Sequence, residues 1–184
     1  MSTKRPDAAT RRTQLLDAAD AVFRIHGVHA PLELVVAQAG VGRATLYRQF
    51  PDRHALLLAL MERSVERLHA KVDSLRGQPD AFFVLLQYLA DRIVHSPALS
   101  DYWRTTGLRD PRFTPVRERA AGAFADALRS SQAAGLLRAD VEPQDLTLLS
   151  GMLGAALRGA TEAERRRLVQ RALDFLTHGL HPLP

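Results

Sequence analysis

Residues 31–54 read PLELVVAQAGVGRATLYRQFPDRH. Gly40 is typical of a residue that ends a helix. Because proline disfavours the helical conformation in the residue before it, Pro51 predicts that a second helix stops just ahead of it. The segment therefore predicts two short helices, over residues 31–39 and 42–49, joined by a tight turn that contains glycine. This is the helix-turn-helix arrangement.

The second of these helices carries polar side chains on the face that would be exposed. The small and apolar residues that we expect to hold the two helices together are Val35, Ala39, Val41 and Leu46. A short helix that projects from the body of a protein fits the major groove of DNA. The side chains that can reach phosphates and base edges are Arg43, Thr45, Tyr47, Arg48 and Gln49. Arg43 lies at the start of the helix, and arginine to guanine is the commonest specific contact.

Helical periodicity extends over the whole chain, and strand signals are nearly absent. Nine helices are predicted, over residues 10–26, 31–39, 42–49, 53–75, 80–95, 98–106, 114–134, 143–158 and 161–178. The expected fold class is all-α, with an N-terminal three-helix helix-turn-helix domain over residues 1–56 and a C-terminal helical domain over residues 57–184. Asp52 is expected to cap the fourth helix. Thr161 and Glu164 have the spacing of a capping box.

The composition bounds the class of protein. The 184 residues include no Cys, which excludes disulfides, thiolate chemistry and Cys-ligated metals. Residues 1–14 lack the apolar segment of a secretory signal, and the longest uncharged apolar stretch, residues 146–157, is too short to cross a bilayer. We therefore expect a soluble, cytoplasmic protein without a membrane partner. The 25 basic side chains exceed the 20 acidic ones and are nearly all Arg, which fits nucleic acid binding and fits a GC-rich genome equally well.

Three pieces of the N-terminal region carry a family resemblance: RRTQLLDAADAVFRIHG, AQAGVGRATLYRQF and PDRHALL. Together they are similar to the DNA-binding domain of the TetR family of bacterial transcriptional regulators, and the chain length and nine-helix plan resemble that family throughout. The resemblance implies a homodimer that binds a palindromic operator in double-stranded DNA. The DNA contacts that it implies come from Arg43, Thr45, Tyr47, Arg48 and Arg53. Pro31 stands where the family usually has Thr, so the second helix lacks a hydroxyl cap, and Leu34 and Val36 also depart from the family pattern.

In that family the C-terminal domain encloses a pocket for a small effector. Most aromatic residues of this chain lie between residues 80 and 134, so the resemblance implies an apolar or amphipathic effector in this region. The candidate lining residues are Phe82, Leu86, Tyr102, Trp103, Phe113 and Phe124. Trp103 and Tyr102 are the first choice because both have polar tips that need a partner when buried. The alternative is that these residues form an ordinary core.

The last two predicted helices carry apolar stripes that predict a dimer face. The residues of the stripes are Leu146, Leu149, Leu153, Leu168, Ala172, Phe175 and Leu176. Pairing of the two helices with their copies across a twofold axis gives a four-helix interface. The alternative is that the stripes pack only within one subunit.

No catalytic or metal site is predicted. Glu66 and His69 have the spacing of half a di-iron site, but the chain has no second Glu-x-x-His. Asp91 and His95 have a spacing that could bind a metal, although a surface ion pair or a core His explains it better. The phosphate loop, the GxGxxG motif and the GxSxG motif are absent. We therefore expect neither enzymatic activity nor a cofactor.

The sequence as a whole predicts a sequence-specific DNA-binding transcriptional regulator, preferably a repressor that a small-molecule effector releases from DNA. One alternative is a helical small-molecule-binding protein or enzyme with a vestigial helix-turn-helix, which Pro31 favours. The other is a module that binds a protein through Leu34 and its neighbours.

Overall fold

The computed structural model describes residues 8–107 and 109–181. Within these ranges the chain forms nine α-helices and no strand, which confirms the predicted all-α class. The helices are α1 (Ala8–His26), α2 (Leu32–Ala39), α3 (Arg43–Gln49), α4 (Arg53–Ser74), α5 (Ala81–His95), α6 (Pro97–Tyr102), α7 (Thr114–Ala133), α8 (Asp145–Leu153) and α9 (Glu162–Leu180). The chain divides into two compact units whose boundary falls inside α4, between Glu62 and Arg63. None of the helices in the described ranges combines the length and the apolar character needed to cross a membrane.

The first unit is built around a small apolar core. Helix α1 packs against α2, and α2 packs against α3. Its most deeply buried side chains include Leu15, Phe23, Val35, Leu46, Phe50 and Leu56. Since α2 has eight residues and α3 has seven, neither is long enough to be stable alone in water, and this shared core holds them in place.

The second unit has α5 at its centre. Helix α5 packs against α7 and α9, and its buried side chains include Phe82, Leu85 and Leu86. Phe124 from α7 and Leu153 from α8 complete the same apolar cluster. A helix with so many inward residues must be covered on several sides, which explains why it takes the central position.

Two predicted helices are shorter than expected. The predicted helix over residues 143–158 is α8 followed by a 3₁₀ segment, Gly154–Arg158. The predicted helix over residues 98–106 is α6 followed by one turn of π-helix, Trp103–Gly107. At the second site the Trp103 ring packs so closely on Gly107 that a β-carbon there would lie 3.0 Å from Cε3 of Trp103.

The predicted helix caps are present. The backbone N–H of Ala55 donates to Oδ1 of Asp52 at 2.7 Å, at the start of α4. The N–H of Glu164 donates to the Thr161 hydroxyl at 3.1 Å, and the N–H of Ala160 donates to the Glu164 carboxylate at 3.0 Å. The capping box therefore closes on Ala160 and not on Thr161 itself.

Candidate nucleic-acid interface

Helix α3 has one face in the core and the rest of its surface in solvent. Leu46 is fully buried, whereas Tyr47 is 38% exposed. Arg43 and Arg48 are also exposed, and Thr45 is half-buried. Because Leu46 fixes the rotation of the helix, its polar side chains are accessible to a partner outside the unit.

The turn between α2 and α3 is set by Gly40. Its φ of +63° places it in the left-handed region, which glycine adopts without strain. The N–H of Gly40 donates to the carbonyl of Ala37 at 3.2 Å, and the N–H of Val41 donates to the carbonyl of Val36 at 3.3 Å. This pair of bonds is the Schellman motif, which ends α2 and directs the chain into α3.

Arg43 is held at the surface by groups from two helices. Its Nη2 lies 3.3 Å from Oε1 of Glu33 on α2, and its Cζ lies 5.5 Å from the centre of the Tyr47 ring on α3. The interaction with the Tyr47 side chain, and after it the negative charge of Glu33, raises the pKa of Arg43. The guanidinium thus carries its charge in a defined position, with 68% of the side chain still exposed.

Arg53 is placed differently from the other predicted DNA-contact residues. Its Nη1 donates to the backbone carbonyl of Val28 at 2.7 Å, in a partly buried position. Its Cζ lies 5.9 Å from the centre of the Phe23 ring. Arg53 therefore ties the start of α4 to the segment that follows α1, a role that its sequence position did not reveal.

The geometry of α3 suits the major groove. An α-helix with its side chains is about 10–12 Å across, and the groove is about 12 Å wide. Exposed arginines on such a helix can donate two hydrogen bonds to a guanine edge or to a phosphate. The Tyr47 hydroxyl can donate to a phosphate oxygen.

The predicted effector residues fall into two groups. Phe82, Leu86 and Phe124 belong to the central apolar cluster of the second unit, where the rings of Phe82 and Phe124 meet edge to face at 6.2 Å. Tyr102 and Trp103 are half-buried, and each packs edge to face on the buried ring of Phe113, at 6.0 and 6.2 Å. Burial, and after it the charge of Asp110, raises the pKa of Tyr102. We call Tyr102, Trp103 and Phe113 the aromatic cluster.

The predicted dimer residues are mostly turned inward. Leu149, Leu153 and Leu176 are buried in the core of the second unit. The three that pack against that core while partly buried are Leu146, Leu168 and Ala172. Phe175 alone of the predicted set is strongly exposed, at 62%.

Two apolar side chains that the prediction omitted lie in solvent on α8. Leu148 is 62% exposed and Met152 is 46% exposed. They are four residues apart and therefore share one face of the helix. The sequence also shows this spacing, but Leu149 and Leu153 have the same four-residue spacing, and the structure buries those two side chains.

The residue pairs considered for metal binding do not extend into larger clusters. The Asp91 carboxylate accepts a hydrogen bond from Nε2 of Gln87 at 3.2 Å. Over residues 8–107 and 109–181, no three His, Asp or Glu side chains form a group that could hold a metal ion.

Two family models match the chain. Residues 15–60 match the model of bacterial regulatory proteins of the tetR family. Residues 78–182 match the model of the C-terminal domain of SbtR-like transcriptional regulators. The second match alone covers more than half of the 184 residues.

Individual proteins give a consistent result. The HTH-type transcriptional activator FasR of Mycolicibacterium smegmatis is 33% identical over 90 residues, which is 42% of this chain and 41% of that protein, so the match spans less than half the length of FasR. The crystal structure of a TetR transcriptional regulator from Streptomyces coelicolor has 27% identity and a TM-score of 0.68, covering 94% of this chain and 99% of that one. The regulator FadR of Bacillus subtilis, solved in complex with stearoyl-CoA, shares the fold at 16% identity and a TM-score of 0.64, covering 92% of this chain and 99% of its own.

The contrast between Arg53 and Arg48 gives a test of the first unit. We expect Arg53→Ala to lower the free energy of unfolding by about 1.5–3 kcal/mol, because it removes a partly buried hydrogen bond from a charged donor. Arg48→Ala, at an exposed position, should change it by less than about 0.5 kcal/mol. Urea denaturation followed by circular dichroism measures both, and equal effects would show that the Val28 contact contributes nothing to stability.

Proposed function

Since the chain belongs to the TetR family of bacterial regulatory proteins, we propose that it binds a palindromic operator as a homodimer and that a small effector changes this binding. As a transcriptional regulator with a helix-turn-helix DNA-binding domain, it would act on the chromosome in the bacterial cytoplasm and catalyse no reaction. The observation that supports the proposal most directly is the exposure of Arg43, Tyr47 and Arg48 on a short helix whose opposite face is anchored by Leu46.

We assign the DNA contacts by chemistry and position. Arg43, at the start of α3, is proposed to read a base edge, since arginine donates two hydrogen bonds to guanine. Thr45, Tyr47 and Arg48 are proposed to contact phosphates, which fix the register of the helix in the groove. Arg53 is proposed to contribute through the N–H groups that do not face Val28.

We propose that two copies associate through the exposed apolar face of α8 and α9. Leu148, Met152 and Phe175 are the exposed large apolar side chains of the second unit in the described part of the chain. The Arg171 guanidinium lies 4.3 Å from the centre of the Phe175 ring, which adds a charged group beside the apolar surface. An aromatic residue and an arginine together are typical of the central residues of an interface. The inward stripe of Leu149, Leu153 and Leu176 would support this face from within.

We propose the aromatic cluster as the place where an apolar or amphipathic effector enters. Tyr102 and Trp103 are only half-buried, and they occupy a π-helical turn, a feature frequent at functional sites. FadR binds stearoyl-CoA in its crystal structure, but at 16% sequence identity the comparison shows only that the two proteins share a fold. The proposed sign of regulation is repression, although FasR is described as an activator.

DNA binding is tested by a salt titration on a site selected from random duplexes by the protein itself. Arg43→Ala should weaken binding to that site by about 1–3 kcal/mol and relax the preference at one base pair. Arg48→Ala should weaken binding to all duplexes similarly and reduce the slope of log K against log salt by about one. Arg129→Ala, which removes the same charge from the second unit, is the control and should bind as the wild type does. Affinity that is insensitive to salt would instead favour the helical small-molecule-binding alternative.

Association is tested by sedimentation. Phe175→Glu places a charge in the proposed apolar face, and we expect the dimer to dissociate into monomers at micromolar concentration. Ile25→Glu is a matched control, because Ile25 is 70% exposed but lies in the first unit, so this variant should remain dimeric. If both variants sediment as the wild type does, the dimer uses another surface.

The effector site and the sign of regulation can be tested together. Trp103 is the single Trp of the chain, so its fluorescence reports on the aromatic cluster alone. A fatty acid or acyl-CoA that binds there should change this fluorescence, release the selected DNA, and restore transcription in vitro from a template whose start overlaps the site. A ligand that releases DNA without any change in the Trp103 signal would place the effector elsewhere.

A further inference from the structure

The ion pair between Glu33 and Arg43 joins the two helices of the helix-turn-helix. The two residues are on α2 and α3, and Nη2 of Arg43 lies 3.3 Å from Oε1 of Glu33. Glu33 is the only acidic residue between Pro31 and Pro51, and Arg43 and Arg48 are the only basic ones. An acidic residue thus contacts the arginine that is proposed to read DNA, on a surface that must approach a polyanion.

Folding does not explain this pair well. The side chains of Arg43 and Glu33 are 68% and 58% exposed, and an ion pair so exposed contributes little to stability. Leu46, Val35 and the Schellman turn at Gly40 already hold α2 against α3. The pair therefore matters more for the state of the Arg43 guanidinium than for the position of the helix.

A carboxylate and a phosphate compete for the same donors. The guanidinium of Arg43 has five N–H groups, and Glu33 lies against those of Nη2 while the ring of Tyr47 lies beside Cζ. A phosphate that approached Arg43 would meet the negative charge of Glu33. A base edge is neutral, so a guanine that accepts from the remaining N–H groups is repelled far less.

We propose that Glu33 is a specificity-determining residue, which weakens the attraction of Arg43 for DNA phosphates and holds its guanidinium in the orientation that reads a base. This inference rests on the proposed binding of DNA through α3. The affinity of non-specific complexes depends almost wholly on phosphate contacts, so Glu33 lowers that affinity most. A specific complex keeps its base contacts and loses less affinity. The ratio of specific to non-specific affinity therefore rises.

The test compares Glu33→Gln with the wild type on two probes, each duplex about 30 base pairs or roughly three helical turns long. One probe is a pool of random sequence, and the other is the site selected by the wild type. On the random pool we expect Glu33→Gln to bind about three- to fivefold more tightly, with a slope of log K against log salt that is steeper by about 0.9. On the selected site the gain should be less than about twofold, so the specificity ratio falls.

Two further variants separate the causes. Glu66→Gln removes the same charge from an exposed position of the second unit, and it should leave both affinities unchanged. In an Arg43→Ala background, Glu33→Gln should lose its effect on the random pool, because the proposed action passes through Arg43. Equal unfolding free energies of Glu33→Gln and the wild type would exclude an altered fold as the source of any difference.

The possible results are distinguishable. If the wild type shows no salt-dependent binding to either probe, the proposed DNA-binding function itself fails. If the wild type binds but Glu33→Gln matches it on the random pool, or gains equally on both probes, the function stands and the role of Glu33 is refuted. A gain that persists in the Arg43→Ala background also refutes it, since Glu33 would then repel DNA without acting on Arg43.

Discussion

The burial of Leu46 is the constraint on which the candidate interface depends. Helix α3 has seven residues, and an isolated helix of that length does not persist in water. Its single fully buried side chain both holds it against the first unit and fixes its rotation. Arg43 and Tyr47, four residues apart, then share one flank, while Arg48 lies on the outer side. A polar side chain at position 46 would leave these groups without a common orientation.

The sequence predicted the helix-turn-helix well because its signals are local. The left-handed Gly40, the proline after Phe50 and the cap Asp52 act within a few residues, so their effects do not depend on the rest of the fold. The orientation of Arg53 could not be predicted in this way. Its partner is the carbonyl of Val28, which lies 25 residues earlier and comes close only when the segment after α1 lies against the start of α4.

In the second unit the helices were predictable and their orientations were not. Helix α8 is apolar on more than one side, so Leu149 and Leu153 compete with Leu148 and Met152 for the core. Periodicity cannot decide between two apolar stripes, because both satisfy the spacing of a buried face. The tertiary contacts of α8 with α5 and α9 decide it, and they leave Leu148 and Met152 in solvent.

The arginines of this chain form ion pairs of two kinds. Four arginines each pair with a carboxylate three or four residues away, which reduces the positive charge they present to a distant partner, and these are Arg76, Arg104, Arg129 and Arg166. The Glu33–Arg43 pair instead spans ten residues and two helices at the candidate interface. Net charge therefore says little about the proposed DNA binding, because a duplex at the candidate interface would meet the local charge around α3. That charge depends on whether Glu33 remains engaged with Arg43 when a phosphate approaches.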